Sequence, residues 1–366
     1  MKQNLNEILE NKKVLVLLGP GGVGKTSCSI GLAVYAASKG KKVGLLSIDP
    51  ARRLASALGI KSDGSPTQIK FEKQLTGSVE ASMLDQKTMF DRMVHRYAPN
   101  RTIAEKIIQH PLYQAASSHL AGSIEYMALA RLKEMVDNKS FDLVVLDTPP
   151  DSHALDFLAR PDVLSRFHEH KVMNWLIKPF LLATKFGLGR LMNMSEKLMG
   201  GVAQVTGFKA LHSFAEFLVL IQQVIDGFHS ASQGILKILH EPTSSFFLVT
   251  APTSSGFRTA LALGSELKKI SYKLDALILN RVLPEALSKE ITAPDKTSSH
   301  DDLSAEAFLS KLWERKMEEE NIIKELSEKL SKIHAKEIFL LRIEEKDYEI
   351  HNTASILPFA QSFENF

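Results

Sequence analysis

Runs of consecutive apolar residues recur along this chain, alternating with stretches of helical period. Residues 14–18, 42–48, 141–147, 246–250 and 274–279 read as strands buried on both faces, the texture of a parallel sheet. Residues 78–84 form a weaker strand and 337–343 a last one. Helical spacing follows the strands at 26–38, closed by Gly40, at 51–58 before Gly59, and at 255–270. Residues 86–138 are mostly helical, broken near Pro99 and Pro111. From 162 to 239 strand signals vanish, and Gly187, Gly189, Gly200, Gly201 and Gly207 interrupt an apolar, Met-containing stretch. Residues 294–302 read as a polar loop, and 303–334 as a charged helix whose stripe of Leu309, Leu312, Ile323, Leu326, Leu330 and Ile333 packs on the sheet. The pattern predicts an α/β fold: a mostly parallel sheet flanked by helices, with a helical subdomain inserted between strands. Residues 1–161 and 241–366 would form the sheet domain, and about 162–240, with part of 86–138, the helical one.

Between the first strand and the first helix lies Gly19-Pro20-Gly21-Gly22-Val23-Gly24-Lys25-Thr26, which fits G-x-x-x-x-G-K-[ST], the phosphate-binding loop (P-loop) of NTPases. Its glycines let backbone N–H groups converge on phosphate oxygens, and the following helix adds its positive end. Gly21, Gly22, Val23, Gly24 and Ser27 would surround the phosphates, Lys25 would reach the β- and γ-phosphates, and the Thr26 hydroxyl would take a position on Mg²⁺. Gly19, Gly21 and Gly24 also satisfy the dinucleotide fingerprint G-x-G-x-x-G, with Asp49 at a fitting distance, so the loop alone leaves both cofactors open. Lys25-Thr26, which a dinucleotide site does not need, and the strand–loop–helix context favour a nucleoside triphosphate.

Two strands end in acids where open α/β sheets bind ligands. Asp49, in Asp49-Pro50-Ala51-Arg52-Arg53-Leu54, is expected to orient the attacking water as well as to cap a helix. Asp147, in Asp147-Thr148-Pro149-Pro150 with Ser152 and His153 beyond, is expected to hold Mg²⁺ through water, with Thr148 near the γ-phosphate. The guanine-reading pattern fails at Tyr272-Lys273-Leu274-Asp275, which favours adenine, and Asn280 at a strand end is placed to hydrogen-bond the base.

Composition narrows the partners. Of 366 residues, 44% are hydrophobic and 24% charged, the net charge is only +3, and no long basic run appears, so nucleic acid is not an expected partner. The single cysteine, Cys28, excludes an intrachain disulfide and any Cys-rich zinc or iron–sulfur site, and points to the cytoplasm. The polar start predicts no signal peptide, and no apolar run reaches the roughly 18–20 residues that span a bilayer. His168 and His170, two apart, are read as surface residues. Met173, Met192, Met194 and Met199 fit an ordinary core or an adaptable apolar binding surface equally well.

The loop, Asp49 to Leu54, Asp147 to Pro150, and Asn280-Arg281-Val282-Leu283-Pro284 together resemble the ArsA/Get branch of deviant Walker A ATPases. That branch holds arsenite-pump ATPases and the ATPases that guide tail-anchored membrane proteins. The resemblance implies a dimer binding ATP or ADP with Mg²⁺, Asp49 as catalytic aspartate of a switch that includes Pro50, Arg52 and Arg53, and a second switch from Asp147 through Thr148, Pro149, Ser152 and His153. It implies adenine contacts from Asn280 and from Pro358 in a carboxyl-terminal loop. It also implies a hydrophobic-helix client and a membrane receptor through which the protein would become peripheral. Two departures stand out. Pro20 replaces the signature lysine that contacts nucleotide across the dimer, so the chain either substitutes Arg52 or Arg53, or pairs as a heterodimer with a lysine-containing paralogue in place of a homodimer. One cysteine disfavours metalloid pumping. The expectation is an ATPase, slow alone; the rival is a non-hydrolysing regulatory subunit.

Overall fold

The computed structural model describes residues 4–48, 53–60, 64–117, 123–149, 206–290, 305–364 and 366. These divide into two compact units, the first drawn from Met1–Leu84, Leu132–Ala159 and Lys237–Phe366, the second from Asp85–Arg131 and Arg160–Leu236.

The first unit is built on eight strands: β1 (Val14–Leu18), β2 (Lys42–Ser47), β3 (Thr67–Gln68), β4 (Ser78–Met83), β5 (Leu143–Asp147), β6 (Ser244–Thr250), β7 (Leu274–Val282) and β8 (Phe339–Glu344). Their order is β3-β4-β2-β5-β1-β6-β7-β8, parallel throughout except for short β3, which pairs antiparallel with β4 at the edge. All five residues of β1 and of β5, and all seven of β6, are buried, because helices cover both faces of a parallel sheet. Register aligns Leu17 of β1 and Ser47 of β2 on either side of Asp147. Thus the acid ending β5 lies at the crevice beside the end of β1.

Helix α1 (Leu5–Asn11) was not foreseen in the polar start. Asn4 and Glu7 form a capping box, and Leu5, Ile8 and Leu9 are buried. Helix α2 (Lys25–Ser38) packs along the sheet and carries Gly31 at a close crossing: a Cβ there would stand 2.7–2.9 Å from the rings of Phe363 and Phe359. Tyr35 of α2 donates its hydroxyl to Asn6 Oδ1 at 2.8 Å, tying it to α1. Short α3 (Arg53–Leu58) follows β2.

The second unit contains α4 (Gln86–Tyr97), α5 (Arg101–Gln109) and α6 (Pro111–Ser117), with the breaks where the prolines predict them. Helix α7 is Ser123–Asp137, and α8 is Thr206–His240, one continuous helix. Gly207, read from sequence as an interruption, lies in the first turn of α8, where glycine costs little. Val224, Phe228, Ala231 and Ile235 bury one face of α8. Gly227 of α8 faces Tyr97, whose ring meets Phe228 edge-on at 5.9 Å, so a side chain at Gly227 has no room. Met89 and Met93 of α4 are buried here as ordinary core.

In the first unit, α9 (Ser254–Lys269), α10 (Glu285–Glu290), α11 (Ala305–His334) and α12 (Thr353–Gln361) complete the cover. The expected stripe of α11 is buried only at Ile323, Leu326 and Leu330; Leu309 is 52% exposed, because the helix meets α9 and β7 through its carboxyl-terminal half. His334, buried, closes that end: its Nδ1 accepts from the Leu274 N–H at 3.4 Å and its Nε2 lies 3.0 Å from the Gly264 carbonyl. Among the described residues no helix is long and apolar enough to cross a membrane.

Candidate functional site

Lys25 starts α2 on a turn that only glycine adopts easily: Gly22 has φ 79° and Gly24, the residue before the helix, φ 86°. No side chain caps α2, so its first N–H groups remain available to an anion. Two neighbours hold the loop from outside. A Cβ at Gly19 would strike the Val249 carbonyl of β6, and one at Gly24 the amide of Asn280. Asn280 donates Nδ2 to the Val23 carbonyl at 2.8 Å, pinning β7 to the loop.

The Lys25 side chain folds back over this turn. Its Nζ donates to Gly19 O at 3.1 Å and to Pro149 O at 3.0 Å, and the residue is buried. A buried ammonium facing carbonyl dipoles is poised for an anion in the same place.

Beneath it, Asp147 is wholly buried and takes three hydroxyl donors from two elements, α2 and β2. Thr26 Oγ1 and Ser47 Oγ donate to Oδ2 at 2.8 and 2.9 Å, and Ser29 Oγ to Oδ1 at 3.1 Å. Burial pushes its carboxyl above the ordinary range, while Lys25 and the three hydroxyls pull it back. Thr148 donates to Leu17 O at 2.7 Å, so it braces β1. Burial, and then the charge of Asp147, push the Cys28 thiol far up, so it is a packing group and not a nucleophile or ligand.

An open cavity of about 410 Å³ lies over the loop, within the range of small-molecule sites. Gly21, Gly22, Gly24, Lys25, Thr26, Ser27 and Thr148 line it, and so does Pro20. Val23, Asn280 and Asp147 support these from below. Pro358 is not in a loop and does not line the cavity: capped by Asn352, α12 runs through it, and Ile350 and His351 take the place beside the loop. Arg53 opens α3. Asp49, Pro50, Arg52, Ser152 and His153 lie outside the described residues, as do His168, His170, the loop at 294–302 and the methionines from Met173 to Met199.

Sequence reasoning missed Ser29, Ser47, Arg281 and His351. Ser29 follows Lys25 by four residues and so shares its helix face, a readable signal. Ser47 depends on strand register, which the sequence does not print.

Thr26 and Asp147 fit magnesium by chemistry, as a hydroxyl and a carboxylate 2.8 Å apart at the cavity floor. Among the described residues no cluster of three His, Cys, Asp or Glu side chains stands ready for a metal, so the ligand's phosphates would supply the remaining oxygens.

The profile of a family described as anion-transporting ATPase matches residues 12–357. Curated relatives carry ATPase names. "ATPase ASNA1 homolog" of Plasmodium falciparum is 26% identical over 291 residues, covering 76% of this chain and 66% of that protein. "ATPase ASNA1 homolog 1" of Paramecium tetraurelia is 25% identical over 294 residues, covering 77% and 79%. The Plasmodium yoelii yoelii homologue is 30% identical over 199 residues, covering 54% and 44%. The chain thus spans just under two thirds of the first relative's length and less than half of the last.

Proposed function

Because the chain belongs to the anion-transporting ATPase family, we propose that it hydrolyses ATP to ADP and phosphate and uses the reaction as a conformational switch. The observation that carries this reading is Lys25, drawn between Gly19 and Pro149 directly above the hydroxyl-ringed Asp147. Thr26 would hold magnesium with Asp147 behind it; when bound, the ion neutralises charge on the terminal phosphates. Lys25 and the N–H groups of the loop and α2 stabilise charge as the γ-phosphoryl transfers, and Asp49 orients the attacking water.

The same lysine supplies the coupling. A γ-phosphate competes with the Pro149 carbonyl for the Lys25 ammonium, so nucleotide loading loosens one anchor of the segment after β5. Names of the Plasmodium and Paramecium relatives favour the ASNA1 type over a metalloid pump, and the lone cysteine agrees. On this reading the active species is a cytoplasmic dimer, the helical region receives an apolar helix of a membrane-protein client, and a membrane receptor recruits the complex.

Pro20 favours a second reading. It lines the cavity where the family's lysine would act across a dimer, and a trans cation contributes about 10³–10⁵ in rate in related sites. A slow subunit completed by a lysine-bearing paralogue follows. Phosphate release with Mg-ATP tests both. The intact chain should turn over slowly, Lys25→Met should lower the rate by about 100-fold or more, and added paralogue should raise it. Turnover unchanged by Lys25→Met would contradict hydrolysis at this loop.

A further inference from the structure

We propose that Arg281 grips the nucleoside end of the ligand, and that β7 carries a bulge to aim it there. The proposal rests on the nucleotide reading of the loop and adds the group that recognises the base.

Arg281 has φ 62°, the left-handed region that side chains other than glycine avoid. The cause is an extra residue in the strand. Asn280 pairs with Ile343 of β8 and Val282 with Glu344, so Arg281 stands between two consecutive partners and opposes none. Consecutive residues of an unbroken strand point to opposite faces. Here both turn to the loop: Asn280 pins Val23 and abuts Gly24, while Arg281 is exposed and lines the cavity that Gly24 also lines. Strain kept at an exposed cation beside a cavity marks a functional position more readily than a structural one. Among the described residues no carboxylate pairs with the guanidinium. Its charge is nevertheless felt at Cys28 on α2, where it opposes part of the rise imposed by burial and Asp147.

The cavity wall carries two kinds of chemistry. Lys25 and Thr148 suit the terminal phosphates. Ile30 stands five residues beyond Lys25, about 7.5 Å further along α2, and shares the cavity wall with Ile350, His351 and Arg281. Two apolar side chains and two planar polar ones suit the faces and edges of a purine better than a phosphate. A guanidinium stacks on such a ring by its plane and charge together, which an ammonium cannot reproduce.

The test is calorimetric titration of the intact chain with ADP and, separately, with inorganic tripolyphosphate. Arg281→Gly removes the guanidinium and also relieves the left-handed strain, so it should melt no lower than wild type. Its dissociation constant for ADP should rise about tenfold, while that for tripolyphosphate should stay within about twofold. Arg281→Lys keeps the charge without the plane and should lose most of the ADP affinity as well. Equal weakening of tripolyphosphate, unchanged ADP binding by Arg281→Gly, or wild-type ADP binding by Arg281→Lys would each overturn the assignment. A wild-type chain that binds neither ligand would overturn the nucleotide reading itself, and this assignment with it.

Discussion

Asp147 gathers most of the local chemistry into one buried carboxylate, and its donors are its weak points. Removing one hydroxyl leaves a buried charge short of a partner, so Ser47→Ala should cost about 1–3 kcal/mol of stability, read as a lower urea midpoint at unchanged slope. An unaltered midpoint would show that water replaces the hydroxyl without loss. His334 gives a second residue-scale expectation. Burial holds its pKa below the ordinary 6.5 even though its bond to Gly264 favours the charged form, and the charges of Lys268 and Lys336 push the same way as burial. An unfolded chain takes up the proton near 6.5 while the folded one resists it. The contribution is therefore complete above that value and is lost as pH falls through the lower folded pKa. The melting temperature should hold above about pH 6.5 and fall as the pH is lowered below it, and His334→Gln should flatten that part of the profile. The motif residues of the site were legible because phosphate binding dictates their types and spacing. Ser47 was not, because its partner is chosen by strand register; nor was Arg281, because a one-residue bulge leaves no mark in hydrophobicity.

Elements with one strong period were read from the sequence, and those with mixed signals were not. The central strands are apolar without interruption because both faces are covered, so β1, β5 and β6 announce themselves. Helix α1 hides its three buried side chains among polar ones. Leu309 of α11 obeys the helical stripe yet stays exposed, since periodicity states which face is apolar and not where a partner ends. Pro358 argues against a helix by its own chemistry, but α12 tolerates it. The packing of α2 against α12 yields a sharp test. Gly31→Ala adds a methyl where two phenyl rings leave no space, and overpacking of this kind costs about 1–3 kcal/mol. Thermal unfolding should show a lower midpoint for Gly31→Ala, whereas Gly40→Ala, with open space around its Cβ position, tests backbone strain alone.

At the scale of the molecule, the sheet unit was foreshadowed by alternating strands and helices, while the stretch without strand signals lies outside the described residues from 162 to 205. Assembly is where Pro20 bears most. If a paralogue supplies the missing cation, light scattering of an equimolar mixture with Mg-ATP should report a heterodimer, and the chain alone should hydrolyse more slowly than the mixture. The position of the bound triphosphate is the central test. A crystal structure of the intact chain with a non-hydrolysable ATP analogue and magnesium should place the γ-phosphate on Lys25, with its ammonium drawn off the Pro149 carbonyl. A nucleotide bound away from Lys25, or a dinucleotide lying across the loop, would contradict it.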